Sequence, residues 1–229
     1  MNIVALIPMK GFRNAKQRLT PVLSSAARAA LAEAMFRDVL RQVRISHGLS
    51  ATFVVTGDDQ VAAIAAAMGA EVIRESGENG ETSAVDLARL KLQDAGREAV
   101  LILPGDLPLL RAEDVERMIA QIVPGAAAPF ALLVPSHDRR GTNALLLAPP
   151  EIIKLGFGFD SFAFHMNQVR AGGLPMRYLE SEHLALDIDE PEDLDRFLAY
   201  GLKDGESTRV ALDLLRQPFA LKDRSFDGL

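Results

Sequence analysis

Short apolar runs alternate with stretches of helical periodicity through the first half of the chain. Ile3 to Pro8, Ala51 to Thr56, Glu71 to Arg74 and Val100 to Pro104 read as strands, and each apolar run ends at a polar or Gly/Pro boundary. Between them lie helices. Ser24 and Ser25 offer N-caps for a long one in which Met35, Phe36, Val39, Leu40 and Val43 recur at i, i+3, i+4 spacing. An alanine-rich helix over Val61 to Met68 stops at Gly69. After a loop from Glu75 to Gly80, a helix capped by Thr82 or Ser83 runs towards Ala95. This strand–helix alternation needs crossover connections, so it predicts a Rossmann-like α/β fold with a mostly parallel sheet between helices.

The second half is less regular. A helix near Glu113 to Ile122 precedes a strand at Phe130 to Val134, a polar run from Ser136 to Thr142 and a strand at Asn143 to Leu147. A Gly/Phe-rich segment, Leu155 to Ser161, leads into a short helix over Phe162 to Arg170. Met176 to Leu179 and Leu184 to Ile188 read as late strands, and Pro191 suits the first turn of a helix through Phe197. From Gly201 the chain is more polar, with one helix expected around Val210 to Leu215. There is no internal repeat and no low-complexity linker. The expectation is one domain over residues 1–200, with 201–229 as a C-terminal appendage that packs on the body or on a second subunit of a homodimer.

Composition narrows the class. The 229 residues carry 48% hydrophobic and 24% charged side chains, ordinary for a globular protein with a substantial core. A formal charge of −6 argues against coating nucleic acid. The absence of cysteine excludes disulfides, thiolate catalysis and Cys-ligated zinc. MNIVALIPMK has no basic stretch ahead of its apolar run, and nothing approaches the ~18 apolar residues of a membrane span. A cytoplasmic protein is expected.

The familiar catalytic and phosphate-binding signatures are missing. The sequence has no G-x-x-x-x-G-K-[ST], no G-x-G-x-x-G, no H-E-x-x-H and no G-x-S-x-G, and its four histidines are scattered. The fingerprint's absence makes hydride chemistry a poor reading of the fold.

Four features remain. VLILPGDLPLL places Asp106 just past a buried strand, where ligands bind in open α/β sheets and too early to cap the helix near Glu113. The loop after the first strand gathers Lys10, Arg13, Lys16 and Arg18 within nine residues; this suits a triphosphate or a solvated basic face. In a strand, Asp187 and Asp189 would share a face and, with Asp106, make a Mg²⁺ site; alternatively, Asp189 caps the helix at Pro191. Arg139 to Asn143, with Gly158 and Ser161, supplies hydroxyls and an arginine suited to a phosphorylated or carboxylated acceptor, or forms ordinary loops.

Five segments taken together resemble one family. IPMKGFRNAKQRL, LPGDLPLL, GTNAL, FGFDSFAFH and LDIDEPEDL occur in this order. They resemble the 2-phospho-L-lactate and phosphoenolpyruvate guanylyltransferases of coenzyme F-420 biosynthesis over roughly Met1 to Tyr200. The resemblance implies a three-layer αβα sandwich of the glycosyltransferase-A-like, nucleotide-diphospho-sugar transferase kind. It implies that GTP and a small phosphorylated carboxylic acid give a guanylylated diphosphate and pyrophosphate, with Mg²⁺. It places Lys10, Lys16 and Arg18 on the triphosphate, the latter pair also stabilising the leaving group. Asp106 and Asp189, with Asp187, would hold the metal, and Thr142, Gly158 and Ser161 would hold the acceptor. Two departures stand out. Gly80-Glu81-Thr82 replaces a Gly-Leu-Asn sequence usual in the family, and the tail beyond Gly201 has no counterpart. Rival readings are a molybdopterin guanylyl- or cytidylyltransferase and a non-catalytic nucleotide-binding module.

Overall fold

A computed structural model describes residues 1–75, 80–122, 129–200 and 205–216. Its seven-stranded sheet has the order β3-β2-β1-β4-β6-β5-β7. The strands are β1 (Ile3–Pro8), β2 (Ala51–Thr56), β3 (Glu71–Arg74), β4 (Ala99–Ile102), β5 (Phe130–Pro135), β6 (Thr142–Ala148) and β7 (Arg177–Tyr178). β1 pairs in parallel with β2 and β4, β2 with β3, and β5 with β7. Only β6 runs against its neighbours. The sheet is therefore mixed but mostly parallel, as expected.

Alternate strand residues feed two cores. Ile3, Ala5 and Ile7 of β1 face one side with Leu101, Leu132 and Leu146. There they meet α1 (Ser25–Ile45) through Phe36 and Val39, α2 (Asp59–Ala67) through Val61, and α4 (Ala112–Ile119) through Val115 and Met118. Val4, Leu6, Val100, Ile102 and Leu145 face the other side, under α3 (Glu81–Asp94) and α5 (Ser161–Ala171). The period-2 alternation of both central strands thus fills the two interfaces of a three-layer sandwich.

A third cluster joins the far side of α1 to α7 (Pro191–Ala199) and α8 (Glu206–Arg216). The buried carboxylate of Asp38 accepts from the backbone N–H groups of Glu206 and Ser207, at 3.0 and 2.8 Å, and from the Ser207 hydroxyl at 2.6 Å. The helix expected after Gly201 therefore docks on the body through α1. The rest of that tail, residues 201–204 and 217–229, lies outside the described residues, as do residues 76–79 of the Glu75–Gly80 loop.

Two expectations need correction. Leu184 to Ile188 is not a strand. A short helix, α6 (Glu182–Ala185), begins where the Ser181 hydroxyl accepts from Leu184 N–H, and an unpaired extended segment follows. The apolar alternation there reflects burial rather than a ladder: Leu184 enters the first core, Leu186 and Ile188 the third. Nor does Thr82 or Ser83 cap α3, which starts earlier, at Glu81, behind Gly80 with φ +87°. The Thr82 hydroxyl instead accepts from Phe157 N–H at 3.0 Å.

Candidate active site

One cleft of about 1840 Å³ opens along the carboxyl ends of β1, β2 and β4. Because β6 is antiparallel, its amino end, Thr142 and Asn143, reaches the same edge. A volume above the usual 300–1,000 Å³ of small-molecule pockets leaves room for two ligands side by side. Lys10, Lys16 and Arg18 line the cleft, as do Asp106, Asp187 and Asp189. Thr142, Gly158 and Ser161 line it too. Of the run singled out from Arg139 to Asn143, Arg140 to Asn143 line this space as well, whereas Arg139 does not and pairs with Glu180 instead.

Lys16 sits at its centre. Its backbone is left-handed (φ 54°, ψ 46°), an uncommon state costing a non-glycine residue about 1–2 kcal/mol. The 3₁₀ turn Gln17–Leu19 follows, and Leu19 is fully buried. The turn holds the Lys16 side chain inward, where only 7% is exposed. Its Nζ donates to Asp106 Oδ2 and, at 2.9 Å, to Asp189 Oδ1. Burial alone would lower the ammonium's pKa, but the two carboxylates raise it instead, so Lys16 stays charged.

The carboxylates outnumber this cation. Asp189 is held below its usual range because Lys16 and Arg18 outweigh its burial. Arg18 is largely exposed at the rim, 3.8 Å from Asp189 and 3.6 Å from Glu190. Asp187 is pushed up to about 6 by burial and by the charges of Asp106 and Asp189. Asn143 holds Asp187 in place: its Nδ2 donates to Leu184 O at 2.9 Å and to Asp187 Oδ1 at 3.2 Å. Asp189 is not the cap of α7. That position is Glu190, and Asp193 accepts from the backbone N–H groups of both Asp189 and Glu190. Asp106 likewise caps nothing, since α4 starts behind Arg111.

Glu81 escaped the sequence reading. Glu81 is exposed at the mouth of α3, yet the protein atoms crowded around its carboxyl and repulsion from Asp106 raise it to about 7. It lines the cleft, and Lys10, exposed on the facing loop, acts in the opposite direction. The available signal was the departure at Gly80-Glu81-Thr82.

Do these residues fit a divalent cation? Oδ1 of Asp106 is sealed from solvent with no hydrogen-bond partner among the described residues. Such an atom costs free energy unless a ligand satisfies it. Among the described residues no group of three or more His, Asp or Glu closes on a single point. Mg²⁺, however, needs only one or two carboxylates when phosphate oxygens and water complete its shell. The hard oxygen donors and their surplus negative charge fit that ion.

A second part of the lining is built from hydroxyls. Ser161 opens α5, and its Oγ accepts from Thr142 N–H at 3.0 Å. His165, one turn further along α5, is fully buried with Nδ1 2.9 Å from Thr142 Oγ1. Gly158 has φ +110°, a backbone state that a side chain would strain. His165 is one of four histidines scattered along the sequence; its i, i+4 relation to Ser161 is the signal that links it to the site.

Comparison with known proteins shows a match to the family described as "Guanylyl transferase CofC like" across residues 3–219. The chain belongs to that family. It is 37% identical over 201 residues to the phosphoenolpyruvate guanylyltransferase of Rubrobacter xylanophilus, covering 88% of this chain and 96% of that one. It is 31% identical over 216 residues to the 2-phospho-L-lactate guanylyltransferase of Methanothermobacter thermautotrophicus, covering 94% and 92%. It is 38% identical over 196 residues to the 3-phospho-D-glycerate guanylyltransferase of Phenylobacterium zucineum, covering 82% and 86%. Among solved structures, one from Desulfovibrio desulfuricans classed with the nucleotide-diphospho-sugar transferases superimposes with TM-score 0.75 at 18% identity, covering 94% and 96%. That likeness bears out the expected fold. Family membership bears out the expected guanylyltransferase, and the non-catalytic reading falls away. Among the described residues, no helix is long and apolar enough to cross a membrane.

Proposed function

We propose that this guanylyltransferase joins GMP from GTP to the phosphate of a small phosphorylated carboxylic acid, releasing pyrophosphate, as a step of coenzyme F-420 biosynthesis. The acid belongs to the set named for its relatives: phosphoenolpyruvate, 2-phospho-L-lactate or 3-phosphoglycerate. The observation that carries the reading is the pairing of two walls in one cleft. Lys16 with Asp106 and Asp189 forms one, and the Thr142 and Ser161 hydroxyls form the other.

The chemistry asks little of the protein beyond placement. A phosphate oxygen of the acid is already anionic, so no general base is needed. It attacks the α-phosphorus of GTP, a new P–O bond forms, and the bond to the bridging oxygen of pyrophosphate breaks. Alignment and charge neutralisation dominate such transfers. Lys16, Arg18 and Lys10 present cationic groups to the triphosphate and its departing pyrophosphate. Asp106 and Asp189, with Asp187 beside them, would hold Mg²⁺. When bound, that ion would neutralise charge on the phosphate oxygens. Gly158 and Ser161, at the amino end of α5, and Thr142 orient the acid.

Mass spectrometry of products from GTP with each of the three acids tests this. A guanylylated product with stoichiometric pyrophosphate supports it. Pyrophosphate release that needs no acid, or no product with any acid, overturns it.

A further inference from the structure

The hydrogen bonds behind the hydroxyl wall have directions that can be worked out atom by atom. Gly156 N–H donates to Nε2 of His165 over 3.1 Å. An amide can only donate, so Nε2 carries a lone pair. His165 is fully buried, and burial followed by the nearby Arg89 charge pushes its pKa down to about 4, so the ring is neutral at pH 7. Its one proton therefore sits on Nδ1, and Thr142 Oγ1, 2.9 Å away, is the acceptor. Phe157 and Phe164 stand edge-on to the ring at 5.3 and 5.5 Å and hold its plane.

The remaining protons can then be counted. Ser161 Oγ accepts from Thr142 N–H, and the two hydroxyl oxygens lie 3.4 Å apart. Each hydroxyl keeps one proton to give. One link between them absorbs one proton, and the other has no acceptor within this network and faces the cleft. The opposite tautomer gives a different result. Thr142 would then donate to Nδ1, Ser161 would donate to Thr142, and no proton would be left over; Nε2–H would also oppose Gly156 N–H.

We infer that His165 is a positioning residue: the Gly156 amide fixes its tautomer, and that tautomer makes the Thr142–Ser161 pair a hydroxyl donor towards an anionic oxygen of the acid. The inference rests on the reading of Thr142 and Ser161 as the acceptor wall. It explains why a buried imidazole, which never reaches substrate, belongs to the site.

Nitrogen-15 NMR of histidine-labelled enzyme, with the His165 resonances identified by their loss in His165→Asn, reads the tautomer directly. The expected pattern is a protonated Nδ1 and an unprotonated Nε2; the reverse overturns the inference. Kinetics with phosphoenolpyruvate, 2-phospho-L-lactate and 3-phosphoglycerate in turn give the second readout. His165→Leu, which has no donor, raises the acid's KM about tenfold or more, the scale of a lost hydrogen bond to a charged group, and leaves the KM for GTP nearly unchanged. His165→Asn, whose amide places an N–H near the Nδ1 position, restores most of that loss. Equal effects of Leu and Asn overturn the positioning role, and should the Leu variant not fold, Asn and the NMR pattern decide. If Ser161→Ala leaves the acid's KM unchanged, the acceptor wall itself is wrong, whichever tautomer the NMR shows.

Discussion

Nζ of Lys16 lies 2.9 Å from Oδ1 of Asp189 across 173 positions of sequence, and the same ammonium also binds Asp106. One cation thus ties the loop after β1 to the loop after β4 and to the segment leading into α7. The ammonium stands between two carboxylates, Asp106 and Asp189. This arrangement makes Lys16 a structural pin, and the proposed function adds the triphosphate as its ligand.

Lys16→Met removes the pin without removing packing volume. Breaking a buried ion pair from one side costs about 3–5 kcal/mol, and the part-open carboxylates here place the loss at the lower end. Turnover falls at least about a hundredfold, the scale of one lost electrostatic stabiliser. Millimolar Mg²⁺ raises the melting temperature of the variant more than that of wild type, because the ion substitutes for the missing ammonium. Differential scanning fluorimetry with and without Mg²⁺ checks this; equal shifts contradict it.

Asp106→Asn keeps shape and loses charge. Oδ1 of Asp106 has no partner among the described residues; at Oδ2 the amide oxygen of Asn still accepts from Lys16, and Asp189 still pairs with that ammonium, so the fold gives up little. The expected outcome is turnover reduced to background with a melting temperature within a few degrees of wild type. Near wild-type pyrophosphate release in this variant removes Asp106 from the reaction.

The pH dependence of stability carries a signature of His165. Its folded pKa, about 4, lies below the ordinary 6.5, so the unfolded chain takes up the proton first as pH falls. The stability contributed by the neutral ring is complete above pH 6.5 and is lost progressively down to pH 4. Between pH 7 and pH 5 the loss from this group is about 2 kcal/mol, from ~1.4 kcal/mol per unit. Urea unfolding at the two pH values checks it: wild type shows this extra loss relative to His165→Asn.

Asp38 predicts a purely structural effect. It accepts three hydrogen bonds from the start of α8 and lies beneath it, away from the cleft. Asp38→Ala costs about 2–3 kcal/mol, as expected for lost bonds to a charged acceptor, and leaves the KM values of folded enzyme unchanged. Faster proteolysis beyond Tyr200 with normal kinetics is the expected pattern.

Much of this was legible in the chain. β2 and β3 fall on the residues their apolar runs mark, and Pro104-Gly105 marks the edge where Asp106 stands. The alternation at Leu184, Leu186 and Ile188 misled because an extended, unpaired segment buries alternate residues just as a ladder does. Asp187 and Asp189 reach the cleft all the same, since extended backbone has period 2 with or without a partner strand. Glu81 and His165 were hidden for another reason. Their significance depends on what lies across from them, Asp106 and Lys10 for one, Gly156 and Thr142 for the other. No local pattern reports such tertiary neighbours.

The central claim is that the carboxylates around Lys16 hold a divalent cation on the nucleotide. Anomalous diffraction from crystals grown with GTP and Mn²⁺ tests it most directly. The account predicts a manganese peak within coordination distance of Asp106 and Asp189; a peak elsewhere, or nucleotide bound in the cleft with no metal beside those two carboxylates, would contradict it.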